Sequence, residues 1–299
     1  MSLTNKTQVI SNALIDEMQL PQSFTHVVES VYVPLCEHIL NKKSEKTLFI
    51  NINGAQGTGK STLTHFLKHI IEAETGFSVA ELSLDDFYST RAERNKLSQS
   101  IHPLLITRGV PGTHDLQLME NTISMLLEGA AGLIPRFNKA VDDRYSEDKW
   151  TPCTKSTDIV LFEGWCNHSP VQNDKELLIP VNNLESEEDP EGVWRHYANE
   201  QLKDYHKRIF NHADICIMLK APGFEKVYEW RSLQEEKLKI KTRPSDQSRI
   251  MSPDELKRFI QHYERITRHT LQHLPETADI VIPVAADHLI KEILLRHDG

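Results

Sequence analysis

A chain of 299 residues, 39% hydrophobic and 26% charged, can bury a full core as one large α/β unit or two modest ones. Its formal net charge of −9 argues against a general nucleic-acid or anionic-membrane binder, since an acidic surface gains nothing from a polyanion, yet leaves room for a small anionic substrate in a local basic pocket. No apolar run approaches the roughly 20 residues of a membrane span.

The first residues lack the basic-then-apolar order of a secretion signal. Cys36, Cys153, Cys166 and Cys216 form no C-x-x-C, so reduced thiols in a cytoplasmic protein are expected.

In chain order, "FTHVVESVYVPLCEHIL" spaces Phe24, Val27, Val28, Val31, Leu35 and Ile39 as on one helix face, giving a helical extension over 1–46 packed on the sheet. Apolar runs at 47–53, 78–84, 158–164, 214–220 and 278–284 read as strands buried on both faces. Amphipathic stretches at 60–74, 114–129, 194–210, 224–240 and 253–273 read as helices. The alternation predicts a doubly wound α/β fold with a mainly five-stranded parallel sheet and helices on both faces. The acidic run 182–192 reads as an exposed, mobile loop. The pairs His65/His69 and His269/His273 read as solvated helix faces rather than a zinc site, because neither brings H-E-x-x-H or a nearby cysteine set.

Between the first strand and its helix stands "GAQGTGKS", which fits G-x-x-x-x-G-K-[ST] in the strand-to-helix context that motif requires. The loop Gly54, Ala55, Gln56, Gly57, Thr58, Gly59, Lys60, Ser61 and Thr62 is therefore expected to bind ATP. Its glycines let backbone N–H groups and the helix N-terminus approach the phosphates, Lys60 reaches the β- and γ-phosphates, and the Ser61 hydroxyl takes Mg²⁺. The second acid of the site should stand at the carboxyl end of a strand. In "DIVLFEGW" that is Glu163 and not Asp158; Glu163 either holds Mg²⁺ through water, polarises the site, or simply caps the turn before Gly164. "SLDDFY" ends the second strand and places an aspartate toward the γ-phosphate, although either aspartate also suits a helix N-cap. The guanine-reading N-K-x-D is not found.

"GAQGTGKST", "SLDDFY", "RGVPGTHD", "PRFNKAVDDRY", "FEGWC" and "MSPDELKRFIQHYE" occur in an order that resembles the D-glycerate 3-kinase-like group. That group is related to uridine kinase, phosphoribulokinase and bacterial pantothenate kinase, and the resemblance runs from about residue 47 onward.

It implies a single P-loop kinase domain with a lid over 223–250. Asp85 would be the residue that accepts or orients the acceptor hydroxyl, with Lys60 and Arg231 acting on the transferring phosphate. Asp86, Tyr88, Arg108, His114, Asp115, Arg136, Lys139 and Arg144 would line the acceptor pocket, Arg108 as a fork for a substrate carboxylate. Thr113 or Asp115 equally suits a helix cap, and the cations equally suit a solvated loop. Lys241 and Arg243 are weaker matches to the lid role.

The expected activity is ATP- and Mg²⁺-dependent phosphorylation of a hydroxyl on a small hydroxy acid, D-glycerate first. The alternatives are another small acceptor such as a nucleoside or pantothenate, and a non-catalytic ATP-binding regulator. A nucleic-acid-stimulated ATPase fits the acidic balance poorly.

Overall fold

The computed structural model describes residues 4–241 and 251–296. Arg243 and the lid residues 242–250 lie outside the described residues, as does the side chain of Lys241. The chain runs α1 (Asn5–Glu17), α2 (Phe24–Val27), α3 (Val33–Lys42), β1 (Leu48–Gly54), α4 (Lys60–Thr75), β2 (Val79–Ser83), α5 (Arg91–Ser100) and α6 (Leu116–Leu127). Four short strands come next: β3 (Gly132–Ile134), β4 (Phe137–Asn138), β5 (Asp143–Arg144) and β6 (Thr151–Cys153). Then come β7 (Ile159–Gly164), α7 (Asp174–Leu177), α8 (Asn183–Glu188), α9 (Val193–Arg208), β8 (Ile215–Lys220), α10 (Phe224–Lys241), α11 (Pro253–His273), β9 (Ile280–Pro283) and β10 (Leu294–Leu295).

The central sheet has the order β10-β9-β8-β1-β7-β2. Its five expected strands are parallel, and β10 adds a short antiparallel edge that the sequence reading did not place. Alternation along β1 sorts the core. Leu48, Ile50 and Ile52 face a cluster with Leu63, Phe66, Leu67 and Ile70 of α4, while Phe49 faces the opposite layer with Phe162, Met119 and Tyr205. Helix α4 buries Leu63, Phe66, Leu67, Ile70 and Ile71, the spacing of one helix face. The N-terminal helices join the same layer through Leu14, Ile15, Val28, Leu35 and Ile39. A wider turn at Val28–Tyr32 separates α2 from α3 just before Pro34, whose ring nitrogen cannot donate to the preceding turn.

One expectation is overturned. The run 182–192 contains a helix, with Glu185 and Asp189 fully buried. Arg265 of α11 pairs with Glu185 through two hydrogen bonds of 2.7 and 2.6 Å, and Arg195 of α9 lies 3.1 Å from Asp189. Buried carboxylates need such partners; Arg265 comes from a distant helix, of which the local charge run gave no sign, whereas Arg195 stands in the first turn of α9, just past the run. Helix α5 was also unplaced, although Thr90 and Glu93 form a reciprocal capping box at its start.

Candidate active site

The carboxyl ends of β1, β2 and β7 meet at one crevice. After Gly54 the chain turns through Ala55–Gly59 into α4. Gly57 and Gly59 hold φ of 83° and 88°, the left-handed region that disfavours a side chain. A Cβ at Gly57 would also stand 2.7 Å from Cβ of Trp230, so this loop carries the indole directly against it. Trp230 Nε1 donates to Ala286 O at 3.1 Å, its ring lies 4.4 Å from that of His288, and His288 Nε2 stands 3.0 Å from Gly57 O. The segment after β9 thus closes on the phosphate loop, beside a cavity of about 750 Å³ lined by Ala221, Pro222, Val284, Ala285, Ala286 and Leu289.

Glu163 sits in register with Ser83 on one side and Ile52 on the other, which buries it between β2 and β1. Its Oε1 accepts from Ser61 at 3.0 Å and from Ser83 at 2.9 Å, and its Oε2 lies 3.9 Å from Lys60 Nζ. Oε2 is buried without a hydrogen-bond partner among the described residues. Burial raises the carboxyl's pKa, with the nearby Asp85 charge adding to it and Lys60 opposing. A buried, incompletely satisfied carboxylate beside a hydroxyl at a helix start is a donor set that fits Mg²⁺. Asp158, at the other end of β7, accepts the Ser78 N–H at 2.8 Å and is remote from this chemistry.

Strand alternation does not separate Asp85 from Asp86. Strand β2 ends at Ser83, and Leu84–Phe87 forms a single tight helical turn in which the Ser83 hydroxyl accepts the Asp85 N–H. Rotation about that turn divides the pair. Asp85 accepts from the Tyr88 hydroxyl at 2.9 Å and pairs with Lys139 at 2.5 Å. Asp86 accepts from Arg136 at 2.7 Å and from the Phe137 N–H at 3.2 Å, so it anchors the start of the β4–β5 hairpin. Burial pushes the Asp85 carboxyl up, but Lys139, Lys60 and Tyr88 outweigh it and hold it at about 2. Asp86 moves the other way, raised by its burial and by Asp85 against the pull of Arg136.

The remaining candidates line the same crevice. His114 is buried, its ring stacked 4.6 Å from Tyr88, and burial lowers it to about 3, so the imidazole is neutral. Tyr205 Oη accepts the Gly112 N–H at 2.9 Å and hydrogen-bonds His114 Nδ1, also at 2.9 Å. His114 Nε2 is buried without a hydrogen-bond partner among the described residues, and in the tautomer that takes the Tyr205 proton at Nδ1 it is a free donor. Arg108 pairs with Asp142, and its guanidinium lies 5.8 Å from the Phe137 ring centre. Burial lowers the Arg108 pKa, yet Asp142 outweighs it and leaves it raised. Asp115 caps α6 through the Leu118 N–H at 3.0 Å, and its second oxygen meets Arg144 at 3.1 Å. Arg144 also donates to Tyr88 O at 3.1 Å. Arg231 lies on α10, close enough for its charge to act on the phenol of Tyr263.

Several residues of the site were not anticipated. Arg94 of α5, 1% exposed, donates to Ser89 O, Ile106 O and Asp142 O, tying three loops together. Trp165 donates to Gly109 O at 2.9 Å and Tyr263 to Arg108 O at 3.2 Å, which fixes the "RGVPG" loop from β7 and α11. Asn51 and Asn53 are buried in β1; Asn53 donates to Asn167 O at 2.6 Å and Asn167 to Asn51 at 3.3 Å. Their signal was visible as the I-N-I-N alternation inside a run read as continuously apolar.

Residues 49–182 match the family model of the phosphoribulokinase / uridine kinase family. The chain is 32% identical over 235 residues to "Uncharacterized kinase mug58" of Schizosaccharomyces pombe, covering 74% of this chain and 80% of that one. It is 27% identical over 240 residues to "Probable ATP-dependent kinase TDA10" of Saccharomyces cerevisiae, covering 72% and 75%. Among solved structures, a D-glycerate 3-kinase from Cryptococcus neoformans var. grubii superposes with a TM-score of 0.73 at 23% identity, over 89% of this chain and 99% of that one. The phosphate loop, the parallel sheet that presents it and these likenesses together place the chain in the phosphoribulokinase / uridine kinase family of P-loop kinases.

Proposed function

We propose that this kinase transfers the γ-phosphoryl group of ATP to a hydroxyl of a small hydroxy acid, with D-glycerate as the first acceptor to test. The observation that carries the reading is the placement of Asp85. It stands in the turn just past β2, with Lys60 of the phosphate loop acting on it from one side and Lys139, Tyr88 and His114 from the other. The fold shared with a D-glycerate 3-kinase is the reason to try glycerate first.

In this reading the loop amides and the α4 N-terminus hold the phosphates, with Lys60 reaching across them. Ser61 and Glu163 would hold Mg²⁺, which when bound neutralises charge on the phosphate oxygens. Arg108 takes the acceptor carboxylate as a two-pronged donor, and the neutral His114 Nε2–H adds a donor with no charge to desolvate. Asp85, ionised far below neutral pH, accepts the hydrogen bond of the attacking hydroxyl and keeps it in line. Its low pKa makes positioning its main contribution, because so weak a base takes a proton only as the bond to phosphorus forms. Arg231 is the cation for the transferring group, and the apolar cavity past β9 supplies a wall for the base.

The test is ADP release measured over a panel of hydroxy acids, nucleosides and pantothenate. Glycerate-dependent turnover is expected, and analogues without the carboxylate should lose about ten- to a hundredfold in kcat/KM, because Arg108 then stays with Asp142 and gives them no charge-assisted anchor. Turnover with a nucleoside or pantothenate alone overturns the acceptor assignment. ATP binding with no acceptor-stimulated release overturns the catalytic one.

A further inference from the structure

Away from the crevice, the last turns of α11 meet α7 in a way that the spacing of histidines alone did not disclose. His269 and His273, one turn apart, stand on the same helix face with ring centres 4.5 Å apart. Glu176 of α7 comes to them from nearly a hundred residues earlier in the chain, and one donor atom from each of the three lies within 4.8 Å of the others. None of the three is fully exposed, so the pair is not the solvated face its spacing suggested. We propose that Glu176, His269 and His273 form a binding site for one divalent transition-metal ion of the Zn²⁺ class.

Two imidazoles and a carboxylate are the ligand types such ions take, usually with a water as fourth ligand; Mg²⁺ prefers an all-oxygen shell. With metal–ligand bonds of roughly 2.0–2.2 Å, tetrahedral donors stand about 3.3 Å apart, so closing the set needs side-chain rotations of about an ångström and no movement of the backbone.

The surroundings already orient the ligands as metal sites do. Glu176 Oε2 is occupied, accepting the Asn173 N–H at 2.8 Å and its amide at 2.7 Å. That leaves Oε1, which lies 3.9 Å from His269 Nδ1. His65 and His69 provide an internal contrast. Their rings are 4.3 Å apart and Glu81 lies 3.4 Å from His65, yet among the described residues no third donor closes on both of them as Glu176 does. A bound ion would pin α7 to the end of α11, the helix whose Tyr263 holds the Arg108 loop.

The test titrates metal-stripped protein with Co²⁺, reading the visible absorption of a low-coordinate complex, and with Zn²⁺ against a chromophoric chelator, both in excess Mg²⁺. One ion per chain is expected, undisplaced by Mg²⁺. His273→Gln and Glu176→Gln should each weaken binding at least about tenfold, while His65→Gln leaves it unchanged. Both ligand substitutions are at partly exposed positions, and circular dichroism identifies any variant that has lost its fold. Binding equal in wild type and both ligand variants, absence of the cobalt band, or loss of binding in His65→Gln would overturn the assignment.

Discussion

The two adjacent aspartates give the sharpest test of the proposed site. In Asp85→Asn the amide oxygen can still accept the Tyr88 hydroxyl, but an NH₂ group then faces the ammonium of Lys139, donor against donor. Lys139 is 61% exposed and turns to solvent, so the stability cost is at most about 1 kcal/mol, as for any surface pair. The catalytic cost is larger. The attacking hydroxyl loses its charged acceptor, which removes about 10²–10⁴ from kcat, or roughly 3–5 kcal/mol of transition-state stabilisation at about 1.4 kcal/mol per factor of ten. ATP affinity should hold or rise, since a negative charge leaves the vicinity of the phosphates.

Asp86→Asn behaves in the opposite way. The amide oxygen keeps the Phe137 N–H, and the charge-assisted bond to Arg136 goes, a loss of about 1.5–3 kcal/mol that appears in urea unfolding with kcat down less than about tenfold. Acceptor-dependent ADP release, nucleotide binding and unfolding curves on both variants separate these outcomes. The reasoning is refuted if Asp86→Asn loses a hundredfold in kcat while Asp85→Asn retains most of it. Lys139→Gln supplies the pH arm. Asp85 at about 2 is below the ordinary carboxylate value, so its pairing stabilises the fold above that ordinary value and is lost as pH falls through about 2. Without Lys139 its titration should climb, bringing an acid limb into the activity profile that wild type lacks above pH about 4.

The other predictions read different parts of the chain. Arg108→Lys should raise KM for a hydroxy acid at least about tenfold with little effect on KM for ATP, because a point charge cannot make the two-pronged contact; equal KM values for the acceptor would remove Arg108 from the pocket. Glu185→Gln leaves the Arg265 guanidinium buried against a neutral group, and a cost of about 3–5 kcal/mol is expected in urea unfolding; a change under about 1 kcal/mol would show the pair to be replaceable. His114, His168 and His262 are held by burial at about 3, 4 and 4, below the ordinary histidine value. Their contribution to stability is therefore complete above pH about 6.5 and is lost as pH falls toward 4, by up to about 1.4 kcal/mol per pH unit for each. Unfolding free energies that stay level from pH 7 to pH 5 would contradict it.

What could be read from the sequence was whatever depends on near neighbours. The phosphate loop is such a feature, because its glycine spacing and the flanking strand and helix are local, and the strands and amphipathic helices come from periodicity. The site's supports are not local. Arg94 lies in "RAERNKLSQS", which has the composition of a solvated helix, and nothing near it foretells acceptors at Ser89, Ile106 and Asp142. The acidic run 182–192 was misjudged for the same reason at Glu185, whose counter-charge Arg265 comes from α11; the partner of Asp189, Arg195, stands just past the run and was open to a local reading.

The same long-range pairing changes the character of the pocket. A local basic patch was expected, yet each cation at its rim is joined to a carboxylate: Arg108 and Arg94 to Asp142, Lys139 to Asp85, Arg136 to Asp86, Arg144 to Asp115. Arg136 and Arg144 hold residues that shape the crevice, so releasing them would dismantle it. Arg108 differs, because Arg94 also holds Asp142 through both its carboxylate and its carbonyl oxygen. An acceptor carboxylate can therefore take Arg108 while Asp142 keeps a buried partner. Exchange of one carboxylate for another on the same guanidinium leaves no charge buried alone, which is what a protein with a net charge of −9 needs in order to bind an anion.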